Sequence, residues 1–249
     1  MAVAEQLGDR ECLAQADIGN LLLRFMTPAD YALLRPHLRR VPVCNGDVLG
    51  RHGAPIERVC FLEGGIAGFL NVLEGGRRVA IGLLGREGFA GWPLLIDLDR
   101  WPHDVVARGP NATALAMQAA DLRVALDSSE TLRSFLARYV SAFVAQMTGT
   151  LTSNLVQTVE ERTARWLLMY HDRIDGDEVV ITHDELGAML GARRASITDA
   201  LHRLEGAGGI KSGRGKLLIR DRAGLMALAG ATYGPAEAEY RRLMTPLPS

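Results

Sequence analysis

Residues 180–205 read Val180-Ile-Thr-His-Asp-Glu-Leu-Gly-Ala-Met-Leu-Gly-Ala-Arg-Arg-Ala-Ser-Ile-Thr-Asp-Ala-Leu-His-Arg-Leu-Glu205. Thr182 and Glu185 have the spacing of a capping box, in which hydroxyl and carboxylate each satisfy a free backbone N–H at a helix start. A short helix follows, with Leu186, Met189 and Leu190 on one face. Gly191 ends it where a left-handed backbone is cheap. A second helix begins near Arg193 and runs to about Gly206, with Ile197, Leu201 and Leu204 as its inner stripe. Two short helices joined by a turn at glycine, the second polar on its outer face, make a helix-turn-helix.

That outer face carries Arg194, Ser196, Thr198, Asp199, His202 and Arg203. A DNA major groove is about 12 Å wide and admits one helix, where arginine can bond guanine through two N–H groups. Arg193 is either a phosphate contact or a second base reader. Next, Ile210-Lys-Ser-Gly-Arg-Gly-Lys-Leu-Leu-Ile219 gives two strand-like runs around a Gly-Arg-Gly tip. This is a small wing with Lys211, Arg214 and Lys216 placed for phosphates. Residues 181–222 hold eight Lys/Arg against five Asp/Glu, in a chain of formal charge -1. The whole chain is therefore no uniformly basic nucleic-acid coat, but the predicted reading head is locally basic.

Upstream, the texture changes. From Val41 to about Asp127 glycines punctuate short runs at Arg58–Leu62, Ile66–Val72, Arg78–Leu84, Asp104–Arg108 and Thr113–Met117. Brief strands with glycine turns predict a compact barrel or sandwich. Glu74-Gly75-Gly76-Arg77 reads as a hairpin turn. Before it, Ile18, Leu21, Leu22, Phe25 and Met26 recur at helical spacing, and Thr27-Pro28 starts a second short helix. From Ser129, Leu132, Phe135, Leu136, Tyr139, Val140, Phe143, Val144, Met147, Leu151 and Leu155 step by threes and fours. One stripe this long exceeds what a small barrel covers, so a subunit-pairing role is expected, the alternative being a core helix lying against the barrel. Gly149 weakens its middle. A further helix, Glu160 to about Asp172, buries Ala164, Trp166, Leu167 and Leu168.

The remaining arithmetic mostly excludes. A length of 249 residues allows one large domain or two small ones, and 48% hydrophobic with 23% charged residues is a globular composition. Three scattered cysteines (Cys12, Cys44, Cys60) without CxxC spacing support neither a disulfide framework nor a zinc ribbon, and suit a reducing cytoplasm. The stretch Met1–Arg10 does not read as a signal peptide, and no apolar run predicts a membrane span.

The barrel segments Phe61-Leu-Glu-Gly-Gly-Ile-Ala-Gly68 and Glu74-Gly-Gly-Arg-Arg-Val-Ala-Ile-Gly-Leu-Leu-Gly85 join the long helix and the Ile181-Thr, Asp184-Glu-Leu-Gly, Leu190-Gly and Arg194 pattern. Together they resemble the Crp/Fnr family of bacterial transcription regulators over nearly the whole chain; the last group is the specific part. The resemblance implies an α+β fold. Residues 12–128 would form a double-stranded β-helix, jelly-roll-like and cyclic-nucleotide-binding-like, serving as sensor. Residues 129–157 would form the dimerisation helix and 158–230 a winged helix-turn-helix, with 231–249 left as a tail. It also implies a homodimer on palindromic double-stranded DNA, with RNA polymerase as a partner. The family's recognition-helix arginine falls on Arg194. Its next acidic reader falls on Ala195 and its later arginine on Asp199, so a different half-site preference is expected.

In the pocket, the family's nucleotide-gripping carboxylate falls on Trp92 and its arginine motif near Pro102-His103. Trp92, His103 and Arg108 remain as effector-pocket candidates. Without the guanidinium a cyclic phosphate loses a charge-assisted contact, so cyclic nucleotide is not expected as the signal. Dispersed cysteines argue against an iron–sulfur cluster, and His52 and His103 alone do not make a haem site. A constitutive DNA-binding regulator with a degenerate sensor is the alternative. A cupin-like enzyme would need clustered His and carboxylates that the barrel lacks, so no catalytic or metal site is expected.

Overall fold

The computed structural model describes residues 13–76 and 78–244. The stretch Met1–Arg10, Cys12, Arg77 of the expected hairpin and residues 245–249 of the expected tail lie outside them. Two short helices open the described chain, α1 (Leu21–Phe25) and α2 (Pro28–Leu34). The buried Asn20 caps α1 by accepting from Leu23 N and donates to the carbonyls of Leu62 and Gly88, which ties α1 to the strands. Thr27 caps α2 through Asp30 N, with Pro28 in its first turn, as expected.

Eight strands follow: β1 (Arg39–Val43), β2 (Val48–Gly50), β3 (Arg58–Leu62), β4 (Ile66–Val72), β5 (Arg78–Leu84), β6 (Phe89–Ala90), β7 (Asp104–Arg108) and β8 (Ala112–Gln118). They form two antiparallel four-stranded sheets, ordered β1-β8-β3-β6 and β2-β7-β4-β5. The expected runs are strands; β1, β2 and β6 are short additions that close the roll. The β4–β5 hairpin turns through Gly75 and Gly76, each with φ of +77°, where a side chain would strain the backbone.

The second sheet is buried on both faces, so its strands read as nearly continuous apolar runs. Ala67, Phe69, Leu84, Val105 and Ala107 face the roll core, whereas Ile66, Leu70, Ala80, Leu83 and Val106 belong to a second core shared with the C-terminal helices. A bulge between β4 and β5, pairing Phe69 with Gly82 and Leu70 with Ala80, lets Ala80 and Leu83 share a face.

The strand texture ends at Gln118, short of the expected Asp127. Residues Ala119–Ser128 form α3, because Leu122, Ala125 and Leu126 recur at helical spacing and are buried. Then α4 (Glu130–Val156) starts at Ser129, whose hydroxyl accepts from Leu132 N. Its apolar residues divide into two faces. Leu132, Phe135, Leu136, Tyr139 and Phe143 are buried against the roll, while Val144, Leu151 and Leu155 are exposed. Gln146 clips α4 to β5 by exchanging hydrogen bonds with Leu83 N and O at 2.5 and 3.2 Å.

The head comprises α5 (Val159–His171), β9 (Glu178–Val180), α6 (His183–Leu190), α7 (Arg194–Gly206), β10 (Ile210–Gly213), β11 (Lys216–Ile219) and α8 (Arg222–Ala229). The expected tail is corrected in part: Pro235–Met244 form a helix, α9, lying along α4. Gly234, at φ +120°, breaks the chain before it and donates to Glu237 Oε2. Ala236 and Leu243 are buried, and the Tyr240 ring lies 6.2 Å from that of Tyr139. Ala236, Tyr240 and Leu243 stand at helical spacing, the signal by which the sequence could have located this helix.

Candidate nucleic-acid interface and effector clefts

The helix-turn-helix is built as its residues dictate. Thr182 and Glu185 form the full capping box of α6. Gly191 takes the left-handed conformation at φ +61°. Gly187 lets the turn close, since a Cβ there would stand 3.1 Å from Ala192 O. Ile197, Ala200, Leu201 and Leu204 bury the inner side of α7. Strand β11 pairs with both β10 and β9, and Glu205 accepts from Ser212 N, which fixes the wing to the end of α7.

The residues expected to contact DNA differ in exposure and in partners. Arg193, Arg194, Asp199, His202 and Arg203 are exposed on or beside α7; Ser196 and Thr198 are half-buried. Arg193 is the N-cap of α7 and provides no side-chain cap, whereas α5 and α6 have complete capping boxes. Lys211, Arg214 and Lys216 are exposed on the wing. Among the described residues Arg193, Lys211 and Arg214 have no carboxylate partner. Arg194 lies 3.6 Å from Asp184, while Arg203 is held by Glu160 at 2.5 Å and Lys216 by Glu178 at 2.8 Å. Sequence reading passed over His183, whose ring nitrogen bonds Thr198 Oγ1 at 3.0 Å and steadies the start of α7. It also passed over Arg162 and Arg165. Arg162 donates to Leu190 O, and Arg165 lies buried between α4 and α5.

The three effector candidates are scattered. Trp92 opens the 3-10 turn Trp92–Ile96, packs on the roll core, and has a buried Nε1 without an acceptor. His103 precedes β7; its burial, and then His52 nearby, disfavour the protonated ring. Arg108 ends β7 and lines a cleft of about 490 Å³ between roll and head. A second cavity, of about 470 Å³, lies in the roll beside Val43, Cys60 and Trp101. Trp101 is packing: it is 4% exposed, and a Cβ on Gly50 would meet its ring at 2.5 Å. Neither cavity joins the three candidates. Among the described residues no three His, Cys, Asp or Glu converge as metal ligands, and no helix is long and apolar enough to cross a membrane.

A two-sheet roll joined by one long helix to a winged helix-turn-helix defines a DNA-binding regulator. The Crp-like helix-turn-helix domain model matches residues 161–228 and the cyclic nucleotide-binding domain model residues 40–129. The chain belongs to the Crp/Fnr family of transcription regulators; its family and fold are those of regulators, not of enzymes. FixK2 from Bradyrhizobium japonicum is similar in fold, with a TM-score of 0.68 at 18% identity, covering 78% of this chain and 98% of that one. A CRP/FNR-family transcriptional regulator from Thermus thermophilus gives 0.63 at 24% identity, covering 77% and 98%. No curated protein matches the chain.

Proposed function

We propose that this regulator is a cytoplasmic homodimer that reads a two-fold-related DNA site and responds to a signal other than a cyclic nucleotide. The observation that carries the dimer is the free face of α4. Val140, Val144, Met147, Leu151 and Leu155, of which Val140 and Met147 are half-buried, follow one another at intervals of four, three, four and four residues. Val140 and Met147 border the face packed on the roll core, while Val144, Leu151 and Leu155 are 47%, 61% and 76% exposed. Such a spacing is the seam of a two-stranded coiled coil, and pairing it through a two-fold axis sets two α7 helices about one DNA turn apart.

In the groove, Arg194 reads guanine. The uncapped start of α7 favours a phosphate, as do Arg193, Lys211 and Arg214. Ser196, Thr198, Asp199 and His202 complete the surface, while Arg203 and Lys216 contribute less because Glu160 and Glu178 already hold them. Against a cyclic nucleotide stands the uncharged turn at Trp92, with no arginine at Pro102-His103. Neither haem nor an iron–sulfur cluster is part of this reading.

Selection of bound sequences from a random DNA pool tests it. Recovery of inverted repeats by the wild type, with R194A losing discrimination at one base pair per half-site, is the expected result. Sites without symmetry would refute the dimer, and unchanged base preference in R194A would refute the reader.

A further inference from the structure

We infer that the cleft between the roll and the head binds a small oxyanion, a carboxylate- or phosphate-bearing molecule held by Arg108. The inference rests on the sensor reading above and gives the signal a chemistry and a place. The cleft, of about 490 Å³, falls within the range of small-molecule sites, ~300–1,000 Å³. One wall is the turn at 63–66 and the turn at 109–113; the other is Tyr170 and residues 173–180 of the head. At its base the roll's two turns press together: Gly65 has φ of +68°, and a Cβ there would lie 2.8 Å from that of Ala112.

The charges of the lining select Arg108. Glu63 is taken by Arg40 at 2.7 Å, Asp175 by Arg86 at 2.8 Å, Glu178 by Lys216 at 2.8 Å, and Arg173 by Glu87 at 2.7 Å. Arg108 alone of the cleft's cations has no carboxylate partner among the described residues, and its Nε is shielded from water without an acceptor. A shielded guanidinium N–H without a partner costs free energy, which an incoming oxyanion offsets. The planar fork of arginine matches a carboxylate or phosphate edge. A ligand here touches roll and head at once, so its binding biases how the head sits on the second sheet.

The test is thermal unfolding of the full chain, without DNA, at constant ionic strength. The probes are inorganic phosphate, succinate and, as the neutral control, glycerol; the first two separate phosphate from carboxylate preference. A saturable rise in Tm with phosphate or succinate but not glycerol is expected. In R108Q the apparent Kd should rise about tenfold or more, in R108K less, and in R123Q, at an exposed position of α3, not at all. R108K decides the matter if R108Q does not fold. Hydrogen exchange should show protection confined to 63–66, 109–113 and 173–180. Equal Tm shifts in wild type and R108Q, no shift with either oxyanion, or protection elsewhere would overturn the site. DNA binding, scored separately, distinguishes the readings: DNA bound without an oxyanion response removes this site alone, and an oxyanion response without DNA binding removes the regulator reading alone.

Discussion

Gly149 stands where it does because of Arg165: a Cβ at 149 would come within 2.9 Å of the Arg165 Nη2 and 3.2 Å of Thr232 O. Arg165 cannot readily step aside. Its guanidinium donates to Thr232 O, Thr150 Oγ1 and Gln146 O, and is 2% exposed. Burial pulls its pKa down to about 10, which still leaves it charged at neutral pH. The side chain thereby ties α5 and the 3-10 turn Gly230–Thr232 to α4 at the junction of body and head.

The first prediction is a reversal of sign. Gly149→Ala on its own should destabilise by about 1–2 kcal/mol, because the clash outweighs the ~1 kcal/mol gain in helix propensity. In an R165M background the nearer obstacle is gone and only the 3.2 Å approach to Thr232 O remains, which a shift of a few tenths of an ångström relieves, so the same substitution should stabilise. Chemical denaturation of the four proteins of this cycle measures it; a destabilising Gly149→Ala in both backgrounds would show that Arg165 is not the reason for the glycine.

The second concerns the free face of α4. Leu151→Glu places a charge where the side chain is already 61% exposed, so the protomer should fold with stability within about 0.5 kcal/mol of the parent. Sedimentation should shift to monomer, and binding to a two-half-site DNA should weaken by orders of magnitude while binding to one half-site persists. A dimer surviving Leu151→Glu and Val144→Glu together would place the subunit contact elsewhere.

The third follows from the Arg40–Glu63 pair at 2.7 Å. Burial acts to raise the Glu63 carboxyl, but Arg40, the Gly19 N–H and Thr113 together hold it below its ordinary 4.5. With a lowered folded pKa, the unfolded chain takes up the proton first as pH falls. The pair's contribution is therefore complete above about pH 4.5 and is lost as pH drops through the folded value. It amounts to on the order of 1 kcal/mol, since Arg40 is partly solvated. E63Q should be less stable at pH 7 and show a flatter acid limb in urea denaturation; parallel acid limbs would refute the assignment.

Much of this fold was legible in the sequence, and what was not has physical causes. Thr182, Glu185 and Gly191 act through local backbone chemistry, so their spacing alone located α6 and the turn. The strands Arg58–Leu62 and Asp104–Arg108 were legible because glycine and proline punctuate them. Strands β1, β2 and β6 span two to five residues, so no periodicity accumulates, whereas in α9 the helical spacing of Ala236, Tyr240 and Leu243 covers only about two turns of a charged stretch. The α4 stripe was visible, but its division into a roll face and a free face depends on which surface the roll covers. The ion pairs of Arg203 and Lys216 join residues 43 and 38 positions apart, beyond any local pattern. Gly149 looked like a weak point only because its partner lies on another helix.

Those ion pairs give the last prediction. Each Lys or Arg that neutralises a DNA phosphate contributes about 0.9 to the slope of log affinity against log salt. Lys211 and Arg214 are exposed without a carboxylate partner among the described residues, so alanine at either should lower the slope by about that amount and weaken binding nearly equally on all sequences. Lys216 spends part of its charge on Glu178, 2.8 Å away. Lys216→Ala should therefore lower the slope by clearly less, and Glu178→Gln, which frees Lys216, should steepen it. Fluorescence anisotropy on one half-site between about 50 and 200 mM salt covers the needed range. Equal slope losses at positions 211 and 216, with no effect of Glu178→Gln, would mean that the wing sheds this pair on meeting DNA.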